Sequence, residues 1–446
     1  MPFTPLRFLS CMALALLVPL SAGQAAEDGG LPQPLTLGEA LSLADRANPV
    51  IDEARAALAQ AQAQAKSSYA QDDLSVDLSL EARYIEPPDV TPDNSNDDSR
   101  AVLLARKRLY DFGRSSAREA AADSLISGRE AELMNTLASH RIQVMQRFFN
   151  VLLADQEFAR LNEAMAVAYV QLDKARDQNQ LGQLSDIELA RLENVYQQVR
   201  TQRYAAESRQ RETRSLLAQA LGRPDDLPAD LAPPALPGLN KPVPDYEELV
   251  KQAKAHNPQI KALRADLEAA TQRITEARAG RRPELSAQME AGAYQRSIGS
   301  NDPFRASLIL QVPLYQGNRV DAAVAKAIAD RDRLQARLRA VEYRLRQDVL
   351  DNWLKLSDLK AQADQSRALS DYRDLYLDQA RAEYELDFKT DLGDAMVQQT
   401  AAQILRMRTR FEKALTMSRL AALTNDPNYD PTQPPTAKQQ QPEKQP

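Results

Sequence analysis

Apolar residues recur along this chain with two different periods. In Leu137, Val144, Val151, Phe158, Met165 and Leu172 the spacing is seven residues. Leu334, Leu338, Val341, Leu345, Val349, Leu356, Leu359 and Ala363 form a similar stripe. A seven-residue apolar repeat marks the seam of a coiled coil. Proline is absent from Asp93 to Arg223 and again from Leu314 to Asp426. One glycine, Gly128, falls in 114–179 and none in 319–386. Proline breaks helix interiors and glycine weakens them, so two helices over ~114–179 and ~319–386 are predicted. At 1.5 Å per residue each is on the order of 100 Å long, too long for a compact domain. An ordinary bundle with several kinks is the alternative.

Elsewhere the period is two. Leu74, Val76, Leu78, Leu80, Ala82 and Tyr84 alternate with polar residues, and so do Phe304, Ala306, Leu308, Leu310, Val312 and Leu314. The segments ~100–111 and ~284–296 alternate less cleanly. One apolar and one polar face over about ten residues fits a membrane β-strand, apolar toward lipid and polar toward a lumen. Tyr84, Tyr110, Phe112, Tyr294, Phe304 and Tyr315 fall at the strand ends, where interfacial aromatics belong. A soluble antiparallel sheet packed on the helices is the competing reading. Sheet edges are not tolerated in lipid, and membrane barrels start at about eight strands. Four strands therefore require several copies to share one barrel, and parity alone permits two, three or four.

The pattern occurs twice. Thr36–Tyr84 reads short helix, Asn48-Pro49, helix, strand, and Pro244–Tyr294 repeats it around Asn257-Pro258. Leu109-Tyr110-Asp111-Phe112-Gly113-Arg114 is echoed by Leu314-Tyr315-Gln316-Gly317-Asn318-Arg319. An offset of about 205 residues implies a duplicated unit. The first copy spans 35–223 and the second 245–424. A linker over 224–244 holds seven prolines. From 425 to 446 the chain turns to proline, glutamine and lysine and is expected to be disordered.

Residues 1–25 carry one charge, Arg7, then an apolar run and small residues up to Ala25, the pattern of a cleavable secretory signal. The 446 residues have a formal charge of −6, which disfavours a nucleic-acid partner. Cys11 is the single cysteine, and His140 and His256 are the two histidines, which excludes Cys/His metal sites after signal removal. There is no phosphate-binding loop, nucleophile elbow or histidine–carboxylate cluster, so no catalytic residue, cofactor or metal is expected.

The signal, the duplicated helix–strand–strand–long-helix order, both Asn-Pro breaks and each Leu-Tyr turn together resemble the TolC-type outer-membrane channels of efflux pumps and type I secretion. The resemblance covers roughly residues 35–424. It implies a mainly α protein with a small membrane β-barrel, a homotrimer whose twelve strands form one barrel in outer-membrane lipid. A periplasmic α-helical barrel would then reach an adaptor protein and an inner-membrane transporter, nucleotide-driven or proton-driven. It also implies that helices 49–70 and 186–220 stack end to end beside the long helix. A soluble periplasmic coiled-coil scaffold or adaptor is the alternative from another class.

The functional end should lie where the long helices turn. Gly182 can end the first helix, and Ser185 or Thr390 can cap the next. Asp391 and Asp394 are three apart and share a helical face. In a three-fold assembly they would form two rings of negative charge, a cation-attracting constriction. The resemblance places paired aspartates at such an entrance, and a second alignment puts Glu188 and Gly393 there. Tyr384 and Asp186 are candidates for contacts that hold the entrance closed. The bland reading of Asp186 and Asp391 is that acids favour a helix N-terminus by ~0.3–1 kcal/mol.

Overall fold

In the computed structural model, residues 30–46, 48–87, 93, 95–296, 301–386 and 392–433 are described. The expected signal over 1–25 lies outside them, as do Thr390 and Asp391.

Two helices of 67 residues dominate, α3 (Arg114–Gln180) and α7 (Arg319–Glu385). At 1.5 Å per residue each spans about 100 Å. The heptad positions Val144, Val151 and Leu172 of α3 are fully or nearly fully buried, as are Val349 and Leu359 of α7. Shorter helices run alongside in pairs: α2 (Pro49–Ala70) and α4 (Asp186–Ala220) on α3, and α6 (Pro258–Ala279) and α8 (Leu392–Thr424) on α7. α6 and α8 also pack on α3, which joins the two copies side by side.

The Asn-Pro breaks explain how each pair fits beside one long helix. Asn48 Oδ1 accepts from Val50 N at 3.0 Å, and its Nδ2 donates to the Ala220 carbonyl at 3.1 Å. Thus one side chain caps the start of α2 and the end of α4. Asn257 does the same, accepting from Ile260 N at 3.1 Å and donating to the Leu423 carbonyl at 3.1 Å. Proline follows at the first helical position, where a missing N–H costs nothing. Both asparagines are buried, and two of the bonds they make, to the Ala220 carbonyl and from Ile260 N, are buried with them.

Around each splice lies a core at mid-length of the long helix. Val144, Phe148, Phe149 and Val151 meet α1 (Leu37–Ala44), the end of α4 and Phe411 of α8. The Phe149 and Phe411 rings stack at 4.2 Å. Val341, Leu345 and Val349 meet α5 (Tyr246–His256), α6 and Tyr429. The proline-rich segment 224–244 is not a loose tether. Leu35 bridges Leu231, and Leu236 is buried in the first core. The expectation of disorder from residue 425 fails for 425–433. Pro427–Tyr429 forms a short 3-10 helix, and Tyr429 is buried with its hydroxyl on Gln252 at 3.1 Å. One aromatic residue reaching a core outweighs the polar composition around it. Residues 434–446 lie outside the described set.

Four strands form one antiparallel sheet in the order β1 (Ser75–Glu81), β2 (Arg100–Tyr110), β3 (Glu284–Tyr294) and β4 (Phe304–Gln311). β1 is shorter than expected, since beyond Glu81 pairing continues only as the Tyr84–Asp97 bridge. The two copies therefore meet at the β2–β3 pair, and β1 and β4 are left as the edges. Among the described residues, no helix is long and apolar enough to cross a membrane.

Candidate functional site

Directly opposed residues in an antiparallel sheet share a face. The register therefore assigns each side chain to one of two faces. Val76, Leu78 and Leu80 oppose Ala105, Leu103 and Ala101. These continue through Met289, Ala291 and Ala293 to Phe304, Ala306 and Leu308. Apart from Lys107, which opposes Ala287 near one end, this face is apolar, and it is bare: Leu80 is 73% exposed and Leu308 72%. The other face carries Asp77, Glu81, Arg100, Arg106, Glu290 and Arg305. A contiguous apolar face of that size needs a cover, and in water a protein rarely leaves one open. Lipid on one side and water on the other suits this division.

A register shift between Arg108 and Tyr110 sets Tyr110 opposite Leu285, on the apolar face. Such a bulge re-aims a side chain. Tyr110 and Phe112 then meet edge-on at 4.6 Å. Phe304 lies on the apolar face, and Tyr315 is almost wholly exposed beyond β4. Tyr84 is exposed past the end of β1, its hydroxyl accepting from Asn96 Nδ2 at 2.7 Å. Tyr294 ends β3 as expected, but on the other face from Tyr110 and Phe304. It shares the polar face with Gly292 and Glu290, its ring fills the space over Gly292, and its hydroxyl donates to Glu290 at 3.1 Å. Strand parity was the available signal: Tyr294 is an even-numbered residue on a strand whose apolar members are odd.

At the far ends of the long helices the first turn is tightly specified. Gly182 has φ +71°, a left-handed conformation that glycine adopts without strain. Ser185 accepts from Glu188 N at 3.3 Å and caps α4. Asn179 Nδ2 donates to the Leu184 carbonyl at 3.0 Å and to Asp186 at 2.9 Å, locking the turn from inside. Glu188 forks onto Arg191 at 2.6–2.9 Å. That pairing holds its pKa below the usual glutamate value, so it stays charged at neutral pH. Asn179 and Arg191 escaped the sequence reading. Asn179 sits one turn before a glycine, and Arg191 three residues after a glutamate.

The second turn is built differently. α7 ends at Glu385, α8 begins at Leu392, and 387–391 lie outside the described residues. Asp394 is exposed in the first turn of α8, and Tyr384 is exposed near the end of α7. Among the described residues neither has a hydrogen bond or ion pair, and Asp186 is held by Asn179 of its own hairpin. Gly393 makes the tightest approach here. A Cβ on it would stand 2.6 Å from Val167 Cγ2 of α3, so only glycine lets α8 lie this close. Two turns along, Thr400 donates to Glu163 of α3 at 3.3 Å. The second hairpin is thus docked on the first through residues 393 and 400, seven apart on one helical face.

Comparison with known proteins agrees with this architecture. Residues 249–425 match the family model for outer membrane efflux protein. The chain is 26% identical over 258 residues to Protein CyaE of Bordetella pertussis, covering 54% of each. It spans about half the length of that curated relative. Its fold superposes on the CmeC outer membrane channel of Campylobacter jejuni with a TM-score of 0.70, at 15% identity, covering 87% of this chain and 85% of that one. The outer membrane protein VceC of Vibrio cholerae gives 0.67 at 17% identity, covering 86% of this chain and 94% of that one. The second copy thus matches the outer membrane efflux protein family in sequence, and the whole duplicated architecture has the fold of the TolC-type channels.

Proposed function

We propose that three copies of this chain assemble into one outer-membrane export duct, with twelve strands in lipid and a hollow helical stalk in the periplasm. The observation that carries this reading is the sheet. It has one bare apolar face, one charged face and two unpaired edges, and it is mounted on helices about 100 Å long. Lipid forbids the edges unless a neighbouring copy pairs with them. The chain is a passive conduit that serves an efflux pump or a type I secretion system. A periplasmic adaptor joins it to an inner-membrane transporter that supplies the energy. A cleaved signal over 1–25 directs the chain out of the cytoplasm.

Asp391 and Asp394, near the turn between α7 and α8, act as the cation-attracting constriction at the periplasmic mouth. Asp186, Glu188 and Tyr384 set its closed state, and Gly182, Ser185 and Thr390 fix the turns. Single-channel recording in planar bilayers tests this. Asp391→Ala with Asp394→Ala should raise conductance and lower the preference for cations. Unchanged conductance and selectivity would overturn the gate assignment.

A further inference from the structure

Where the sheet meets the helices, the end of α6 and the starts of α3 and α7 border an open cleft of about 480 Å³. Arg114, Arg273, Arg282 and Arg319 line it, against the carboxylates of Asp111, Glu276 and Glu284. Two of these carboxylates are already engaged. Asp111 is buried and accepts from the backbone N–H groups of Arg114 at 3.0 Å and Ser115 at 2.7 Å, capping α3. Glu284 accepts from Arg108, which is not part of the cleft, at 3.0 Å. Glu276 alone is left to face four guanidinium groups.

Arg282 and Arg319 are held by neutral partners, and Arg273 has only the more distant charge of Asp266. Arg282 donates to the Phe112 carbonyl, and Arg319 to the Gln316 side chain at 3.0 Å. Among the described residues, the side chains of Arg114 and Arg273 make no ion pair or hydrogen bond. Asn318, at the start of α7, provides no side-chain cap, so the first N–H groups of that helix add partial positive charge to the same place. Glu284 and Gln311 both belong to the polar face of the sheet, which opens the cleft away from the apolar face.

We infer that this cleft is an anion-binding station inside the duct, which takes the phosphate-type group of a passing solute. Guanidinium forks match phosphate oxygens in pairs, and charge-assisted bonds of this kind are the strong ones. A cavity of a few hundred Å³ is of ligand size. The acids at the mouth do not cancel it. They lie most of a long helix away, while charges are screened over ~10 Å at 0.1 M salt. The duct then has two electrostatic zones of opposite sign in series.

The inference rests on the channel reading, and the test separates the two. Wild-type protein and Arg114→Gln/Arg273→Gln are recorded in planar bilayers at 0.1 M KCl with millimolar tripolyphosphate. The wild type should show reversible block. The half-blocking concentration should rise about tenfold or more in the double variant and fall in Glu276→Gln. A conducting wild-type channel that tripolyphosphate does not block overturns the station, as does equal block of the double variant. Protein that never conducts overturns the channel reading instead. Titration calorimetry of tripolyphosphate into the solubilised wild-type protein needs no variant. Saturable binding supports the station, and no binding at millimolar concentration overturns it.

Discussion

The two copies of the repeat agree at mid-length and differ at their ends. At mid-length each has the same device, a buried asparagine that splices the end of one helix to the start of another. Each surrounds it with a core on the long helix. Their ends have diverged. The first copy begins α3 with a carboxylate cap from Asp111, whereas Asn318 caps nothing at the start of α7. The first turn at the far end is locked by Asn179, Gly182 and Ser185, whereas the second depends on Gly393 pressed against the first copy. Burial leaves a polar group few partners, so the splice tolerates no substitute. The ends are free of that shared constraint and have acquired different chemistry, which is where a duct needs it.

The largest effect should come from the first core. Phe149→Ala removes the ring stacked on Phe411 and should cost about 3–5 kcal/mol, read as a fall in the thermal midpoint of the solubilised protein. A loss below 1 kcal/mol would mean that this core does not hold the copies together. Next come the splices. Asn48→Ala leaves the buried Ala220 carbonyl without its partner and Asn257→Ala the buried Ile260 N–H, and each should cost about 1–3 kcal/mol. The comparison predicts similar losses for the two; a strong effect from only one would break it. Gly393→Ala should cost about 1–3 kcal/mol by overpacking and should push α8 off α3, raising single-channel conductance. Wild-type conductance in that variant would show that this contact does not restrain the entrance.

The smallest effect concerns the seam between copies. Asp266 of α6 lies 3.4 Å from Arg129 of α3. Burial pushes its pKa up, and the nearby arginines Arg129, Arg337 and Arg273 only partly oppose this. The folded form therefore binds a proton more tightly than the unfolded chain does. Stability gains a contribution as pH falls through the range just above the ordinary aspartate value, and loses it as pH rises through the folded pKa. Asp266→Asn should remove that rise. Thermal midpoints measured between pH 6 and pH 4 check the sign, and an identical slope in both proteins would contradict it.

Much of this fold is written in periodicity. The long helices follow from heptads uninterrupted by proline, and the strands Leu74–Tyr84 and 304–314 from strict alternation. What escaped depends on partners distant in sequence. Asn48 and Ala220 are 172 residues apart, and nothing local marks the carbonyl that the asparagine satisfies. Val167 and Gly393 meet only because two helices cross, so Gly393 reads in sequence as a weak helical position. Tyr429 hides in a proline-rich stretch whose composition argues for disorder. The bulge at Arg108–Tyr110 changes which face a tyrosine occupies, and alternation blurred by one residue does not announce it.

The central claim is that the bare edges β1 and β4 are sealed by neighbouring copies within lipid. Cysteines at Leu78 and Leu308, in mid-strand on the apolar faces of the two edges, measure this directly when a short flexible bismaleimide is added to membranes. The account predicts a ladder of covalent dimer and trimer that stops at three and disappears with either single variant. Material that stays monomeric after treatment, although both cysteines react, would contradict it.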